Sequence, residues 1–163
     1  MVGRTTTTTR GRADAVSAVI VLDSTPVGVL CHPRNPPHAA ACRQWLADLQ
    51  RAGRRVILLE IADYETRREL LRRNSRKALN NLDLLGRQLE YLPLDTQTMR
   101  RAAQLWALAR NTGQQTAPDH ALDNDVILAA QALSLGGPVI VATANPAHLS
   151  RFVQADLWQN IAP

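Results

Sequence analysis

Residues 18–23 read AVIVLD, five apolar side chains in a row closed by an aspartate. A half-buried strand alternates apolar with polar side chains. This run does not, so both of its faces are expected to be covered. The same texture returns in RVILLE (55–60) and VIVAT (139–143), with helical periodicity in the sequence between. Working outward, the stretch 26–37 carries Pro26, Pro33, Pro36 and Pro37 and is expected to be a loop. Cys42, Trp45, Leu46 and Leu49 then recur at helical spacing over about 38–51, and Gly53 sits just past that end. From 61 to 88 the pattern predicts two helices broken near Asn74-Ser75, the second striped by Leu79, Leu82, Leu85 and Leu89. EYLPL (90–94) is a short strand candidate. Asp95 or Thr96 caps a helix with Met99, Ala102, Ala103 and Trp106 on one face. A polar loop over 113–121 leads into a helix of about 122–135, with Leu122, Val126, Ala129, Ala130 and Leu133 inward. The tail beyond Asn145 holds a short helix and an edge strand. Buried strands separated by helices define the α/β class, a mainly parallel sheet covered on both faces.

The rest of the composition agrees. A chain of 163 residues makes one domain, expected over 16–163, after a Thr- and Arg-rich lead (1–15) that cannot bury a face and is expected to be disordered. With 45% hydrophobic but only 4% aromatic residues, the core must be aliphatic. Two cysteines, Cys31 and Cys42, are too few for a disulfide framework and fit reduced thiols in the cytoplasm. The apolar run after Arg10 and Arg12 is short and closed by Asp23, which argues against export, and no stretch approaches a membrane span. A net charge of +5, with 18 Arg against one Lys, fits a polyanionic partner.

In parallel α/β sheets the ligand site lies beyond the carboxyl ends of the strands. Asp23 ends the first strand, Glu65 lies one turn into the helix after the second, and Asn145 follows the last. Asp123 and Asp125 open the helix that feeds that last strand. Each has a plainer role: a strand terminator, a solvated helix carboxylate (with Glu60 and Asp63 as rivals of Glu65), a helix-dipole partner, an Asn-Pro turn. Their conjunction at one edge is what matters. Carboxylates brought together without a cation repel and raise a pKa, and oxygen donors without a His/Cys set favour Mg²⁺ or Mn²⁺.

These residues resemble the PIN-domain nucleases, especially the toxin ribonucleases of the VapC type. The matching pieces are VIVLDST (19–25), ADYETRREL (62–70), DVILAAQAL (125–133) and ATANPAHLSRF (142–152), in the family's order and spacing. The resemblance implies a three-layer α/β/α domain that cuts RNA with Mg²⁺ or Mn²⁺ held by an acidic cluster. Carried over by position, Asp23, Glu65 and Asp125 fill three acid places, Asn145 the fourth, and Thr143 a hydroxyl place beside it. Asp123 falls outside the motif; on a helix it points about 200° away from Asp125, which suits a substitute or outer ligand. The resemblance further implies a cognate antitoxin that blocks the acidic edge, and a homodimer. Asn145 removes one negative charge, and Pro26 with the long Pro-rich loop departs from the family pattern.

The expected chemistry is metal-assisted phosphodiester hydrolysis, with Asp23, Glu65 and Asp125 fixing the ion and a carboxylate accepting a proton from water. In RRELLRRNSRK (67–77), Arg68, Arg72 and Arg76 recur at i+4, a basic stripe suited to phosphate oxygens or simply a solvated face. The alternative, favoured by Asn145, is a PIN-like module that binds RNA or protein without cutting. Cys31, His32, His38 and Cys42 match no common zinc spacing, and His148 matches no catalytic place. No dinucleotide, P-loop or nucleophile-elbow motif is present.

Overall fold

The three apolar runs lie side by side at the centre of a parallel sheet. The computed structural model describes residues 18–113 and 119–163. The expected lead at 1–15 and part of the polar loop after Gly113 lie outside those residues. Strand β1 (Val19–Leu22) pairs with β2 (Val56–Leu59) on one side and with β4 (Val139–Thr143) on the other. Two short edge strands, β3 (Glu90–Leu92) and β5 (Ala155–Leu157), complete the five-stranded order β3-β2-β1-β4-β5, all parallel. The chain runs outward from β1 through β2 to β3, then returns to the far side of β1 for β4 and β5. The carboxyl ends of β1 and β4 therefore flank the point where strand order reverses, where crevices open in such sheets.

The helices are α1 (Ser24–Leu30), α2 (Pro37–Arg51), α3 (Glu60–Arg72), α4 (Arg76–Gln88), α5 (Thr96–Asn111), α6 (Asp119–Ser134) and the single turn α7 (Pro146–Leu149), a three-layer α/β/α arrangement. Helix α1 corrects the expectation of a loop from Pro26 onward. Asp23 is its N-cap, and Pro26 stands in the first turn, where a missing N–H costs nothing. Val27 and Leu30, three apart, face the core. The break at Asn74-Ser75 is a Schellman motif: Asn74 has φ 51°, its N–H donates to Leu71 O and that of Ser75 to Leu70 O, both at 3.0 Å. Gly53 (φ 71°) closes α2 in the same way, with Arg54 N–H reaching Leu49 O at 2.9 Å.

The main core joins Ile20, Val21, Leu22, Ile57, Leu58, Leu59 and Val141, all fully buried, to Leu49 of α2, Leu82 of α4 and Ala129 of α6. A smaller cluster sits between α5 and α6, around Ala102, Ala109, Val126 and Ala130. Here α5 differs from expectation. Its buried residues are Thr98, Ala102 and Ala109, while Met99 and Ala103 are exposed and Trp106 is only partly covered. In α4 the buried stripe is Ala78, Leu82 and Leu85, with Leu79 half-buried. Helix α6 starts at Asp119, earlier than expected; the side chain of Leu122 lies outside the described residues, and Val126, Ala129 and Ala130 are buried as expected. Gln131 of α6, fully buried, accepts from Ile61 N–H at 3.1 Å and donates to Leu92 O at 2.9 Å, tying α6 to the ends of β2 and β3.

Candidate active site

The register of β1 against β4 sets the centre of the site. Leu22 lies opposite Ala142, so the next residues along, Asp23 and Thr143, emerge together at the carboxyl edge. The Asp23 N–H donates to Ala142 O at 3.0 Å, extending the ladder by one bond. One carboxylate oxygen of Asp23 accepts from Ser24 N–H at 2.7 Å, and the other accepts from the Thr143 hydroxyl at 2.7 Å. That hydroxyl in turn accepts from Asn145 N–H at 3.0 Å. A relay of Asn145, Thr143 and Asp23 thus fixes the carboxylate's orientation from both sides.

Glu65 projects from the second turn of α3, which Thr66 ties to α1 by donating to Ser24 O at 3.3 Å. Its two sequence rivals are occupied elsewhere. Glu60 accepts from Leu94 N–H at 2.5 Å, and Asp63 accepts from Arg67 at 2.8 Å and from the Tyr91 hydroxyl at 3.1 Å. Asp125, on α6, keeps its side chain 23% exposed. Its carboxyl is pushed up to about 6, first by burial and then by the negative charge of Asp23, with a smaller push from Glu65; His148 and Arg151 oppose the shift. Asp125 therefore feels the charge of Asp23 and, more weakly, that of Glu65. His148, whose Nδ1 is 4.0 Å from a carboxylate oxygen of Asp125, was not legible as a site residue. Arg151 holds that segment, donating to His148 O at 3.2 Å and stacking over the Phe152 ring.

Other expected residues are placed differently. Thr143, which the resemblance gives a hydroxyl place beside Asn145, is 1% exposed and its hydroxyl donates to Asp23, so it positions that acid. Asp123 is exposed on α6, two residues before Asp125. Asn145 is exposed and joins the relay through its backbone N–H. The basic stripe is broken: the Asn74 turn puts Arg76 on α4, away from Arg68 and Arg72 on α3. Arg72 and Arg73 both clasp Glu69, at 2.6 Å each, and hold its carboxyl down at about 2. Arg68 remains exposed over the Tyr64 ring. Cys31 and Cys42 are buried and their thiols are pushed up to about 12 by desolvation, which keeps them protonated and unlike zinc ligands.

The fit of a divalent cation rests on this donor set. Hard carboxylate oxygens that repel one another, with one acid forced toward its protonated form, are what a hard cation relieves. Among the described residues, no three His, Cys, Asp or Glu side chains gather closely enough to hold a metal ion together. Mg²⁺ characteristically takes one or two carboxylates and keeps several waters, so such an open arrangement suits it.

A profile of the PIN domain matches residues 20–151. No curated protein sequence matches significantly. Among solved structures, a chain of VapBC2 from Rickettsia felis, bound to a DNA fragment from its promoter, is similar at 14% identity and a TM-score of 0.67, covering 86% of this chain and 98% of that one. A chain of DNA-bound VapBC from Salmonella typhimurium aligns at 20% identity and 0.60, covering 86% and 98%. VapBC-1 from nontypeable Haemophilus influenzae aligns at 18% and 0.62, covering 87% and 99%. Identities this low speak to the fold. Among the described residues no helix is long and apolar enough to cross a membrane.

Proposed function

Because the chain belongs to the PIN-domain family, we propose that it is a metal-dependent endoribonuclease of the VapC type, hydrolysing RNA phosphodiester bonds at the edge formed by Asp23, Glu65 and Asp125. The observation that carries this reading is the electrostatic coupling of Asp125 to Asp23 and Glu65, beside an Asp23 carboxylate oriented by Thr143. One or two of the acids Asp23, Glu65 and Asp125 would hold Mg²⁺ or Mn²⁺ directly, with the remaining acid, the Asn145 amide and Asp123 as partners of its waters. The bound cation supplies Lewis-acid stabilisation of the phosphoryl charge and makes the attacking water more acidic.

The chain's own groups do the rest. Thr143 and Ser24 N–H lock Asp23 in one rotamer, so the acid meets its ligand without reorganisation. Glu65, half-buried and not drawn off by a neighbouring cation as Asp63 is, stands as the carboxylate to accept a proton from water. Arg68 lies on the substrate side of the same helix, suited to a phosphate oxygen. Arg72, committed to Glu69, is a weaker candidate for that role. The similar folds in VapBC assemblies support a protein partner for this chain, of the antitoxin kind, and a cytoplasmic homodimer completes the proposal.

The test is cleavage of a labelled RNA in Mn²⁺ or Mg²⁺ against an EDTA control. Asp23→Asn and Asp125→Asn should each lower the rate by at least about 100-fold, and Thr143→Val by about 10–100-fold, the usual cost of losing a residue that orients a metal ligand. Full cleavage by both acid variants would defeat the site. Metal-independent silence of the wild type with retained RNA binding would favour the non-cutting module, which the uncharged Asn145 keeps in view.

A further inference from the structure

Two grooves meet at His32 and Pro33, on the loop between α1 and α2. The first, about 750 Å³, runs past Glu65 between α1 and α3, and there Glu65 and Glu69 offset Arg68 and Arg73. The second, about 510 Å³, lies between α2 and α4. Its wall carries Arg34, Arg43 and Lys77 together with the amides of Gln50, Asn81 and Gln88 and, among the described residues, no carboxylate. The acids nearest in sequence already have arginine partners: Asp48 of α2 pairs with Arg51 at 2.7 Å, and Asp83 of α4 shares Arg67, at 2.9 Å, with Asp63. Among the described residues Arg34 and Lys77 are exposed and make no ion pair. Surface cations left uncompensated around a concave wall raise the local concentration of anions.

We propose that this second groove is a phosphate-binding exosite, which holds the sugar-phosphate backbone of the RNA strand beyond the nucleotides at the carboxylates. The proposal rests on the RNA-cutting reading of the acidic edge and extends its substrate-binding surface across the His32–Pro33 rim. Geometry favours an extended strand. Lys77, Asn81, Leu84 and Gln88 lie along one face of α4 over about 16 Å, at 1.5 Å per residue. The rim is already rigid. Arg43 donates to Leu30 O at 3.2 Å, to His32 O at 2.6 Å and to Asn35 Oδ1, and Asn81 donates to Cys31 O at 3.2 Å. Arg43 therefore shapes the wall and adds its charge, while Arg34 and Lys77 meet phosphate directly. Among the described residues no Trp, Tyr or Phe lines the groove, so recognition there is of the backbone rather than by base stacking.

The experiment measures the salt dependence of single-stranded RNA binding to the full chain in EDTA, where no cleavage intervenes. Arg34→Gln with Lys77→Gln should reduce the slope of log K against log salt by about 1.4, at about 0.7 for each phosphate of a single strand that the protein ceases to neutralise. The matched control, Arg100→Gln with Arg101→Gln, removes two exposed charges from α5, which lines neither groove, and should leave the slope unchanged. Thermal melting of both pairs checks that the fold is intact. An unchanged slope in the Arg34/Lys77 pair overturns the exosite and leaves the groove to a protein partner. An equal loss in both pairs also overturns it, since overall charge would then explain the binding. The two readings fail separately: a slope difference without Mn²⁺-dependent cleavage sinks the nuclease alone, and cleavage without a slope difference sinks the exosite alone.

Discussion

Asp125 is a carboxyl group held against its own ionisation, and the sign of its effect follows. Its folded value, about 6, exceeds the value of 3.8 for a free side chain. Between those limits the folded state binds more protons than the unfolded one, so stability falls as pH rises from about 4 to about 6, and the full penalty persists above. In EDTA, Asp125→Asn should therefore melt a few degrees above the wild type at pH 7–8, and the gap should close toward pH 4. Calorimetry across that range checks it; a gap that ignores pH would show that Asp125 is not under strain. That Asp23, Glu65 and Asp125 lie near strand and helix ends followed from the α/β pattern, while choosing them over Glu60, Asp63 and Asp123 rested on the resemblance to PIN-domain nucleases. Thr143's grip on Asp23 and His148's approach to Asp125 were not legible in the sequence, because both depend on which strands become neighbours.

At the scale of elements, Gln131 shows how one buried amide joins three of them. Replacing it with leucine orphans the Ile61 N–H and the Leu92 carbonyl in the interior. Each such group costs about 1–3 kcal/mol, so Gln131→Leu should lower stability by at least about 2 kcal/mol in urea unfolding. A loss under about 0.5 kcal/mol would mean that the junction repacks freely. Long periodic helices and unbroken apolar strands were readable from pattern alone. Helix α1 was hidden by Pro26 and the prolines that follow the helix, although Asp23 as cap and Val27 with Leu30 at i+3 were the local signals that could have found it. The arginine stripe failed for a related reason: periodicity was counted through Asn74, whose left-handed backbone ends one helix before the next begins.

Across the whole molecule, the order β3-β2-β1-β4-β5 converts distance along the chain into proximity at the sheet's reversal point. Sequence predicted parallel strands and their carboxyl edge, but strand order comes only from the assembled sheet. If the edge binds a divalent ion only when folded, saturating Mn²⁺ must stabilise the protein, by about 2.7 kcal/mol at a hundredfold excess over Kd. For a chain of this size that is about 5–10 °C in Tm. Scanning calorimetry should show this rise for the wild type and little of it for Asp23→Asn; equal shifts in both would place the ion elsewhere.

The bond between Asp23 and Thr143 joins residues 120 positions apart. During synthesis, the first acid leaves the ribosome 120 residues before its orienting hydroxyl. A chain cut off before β4 carries Asp23 and Glu65 without the strand that aims the first of them, so the oriented centre exists only once β4 has docked beside β1. If the chain cuts RNA as proposed, a copy that stops before β4 lacks the hydroxyl that orients its first acid.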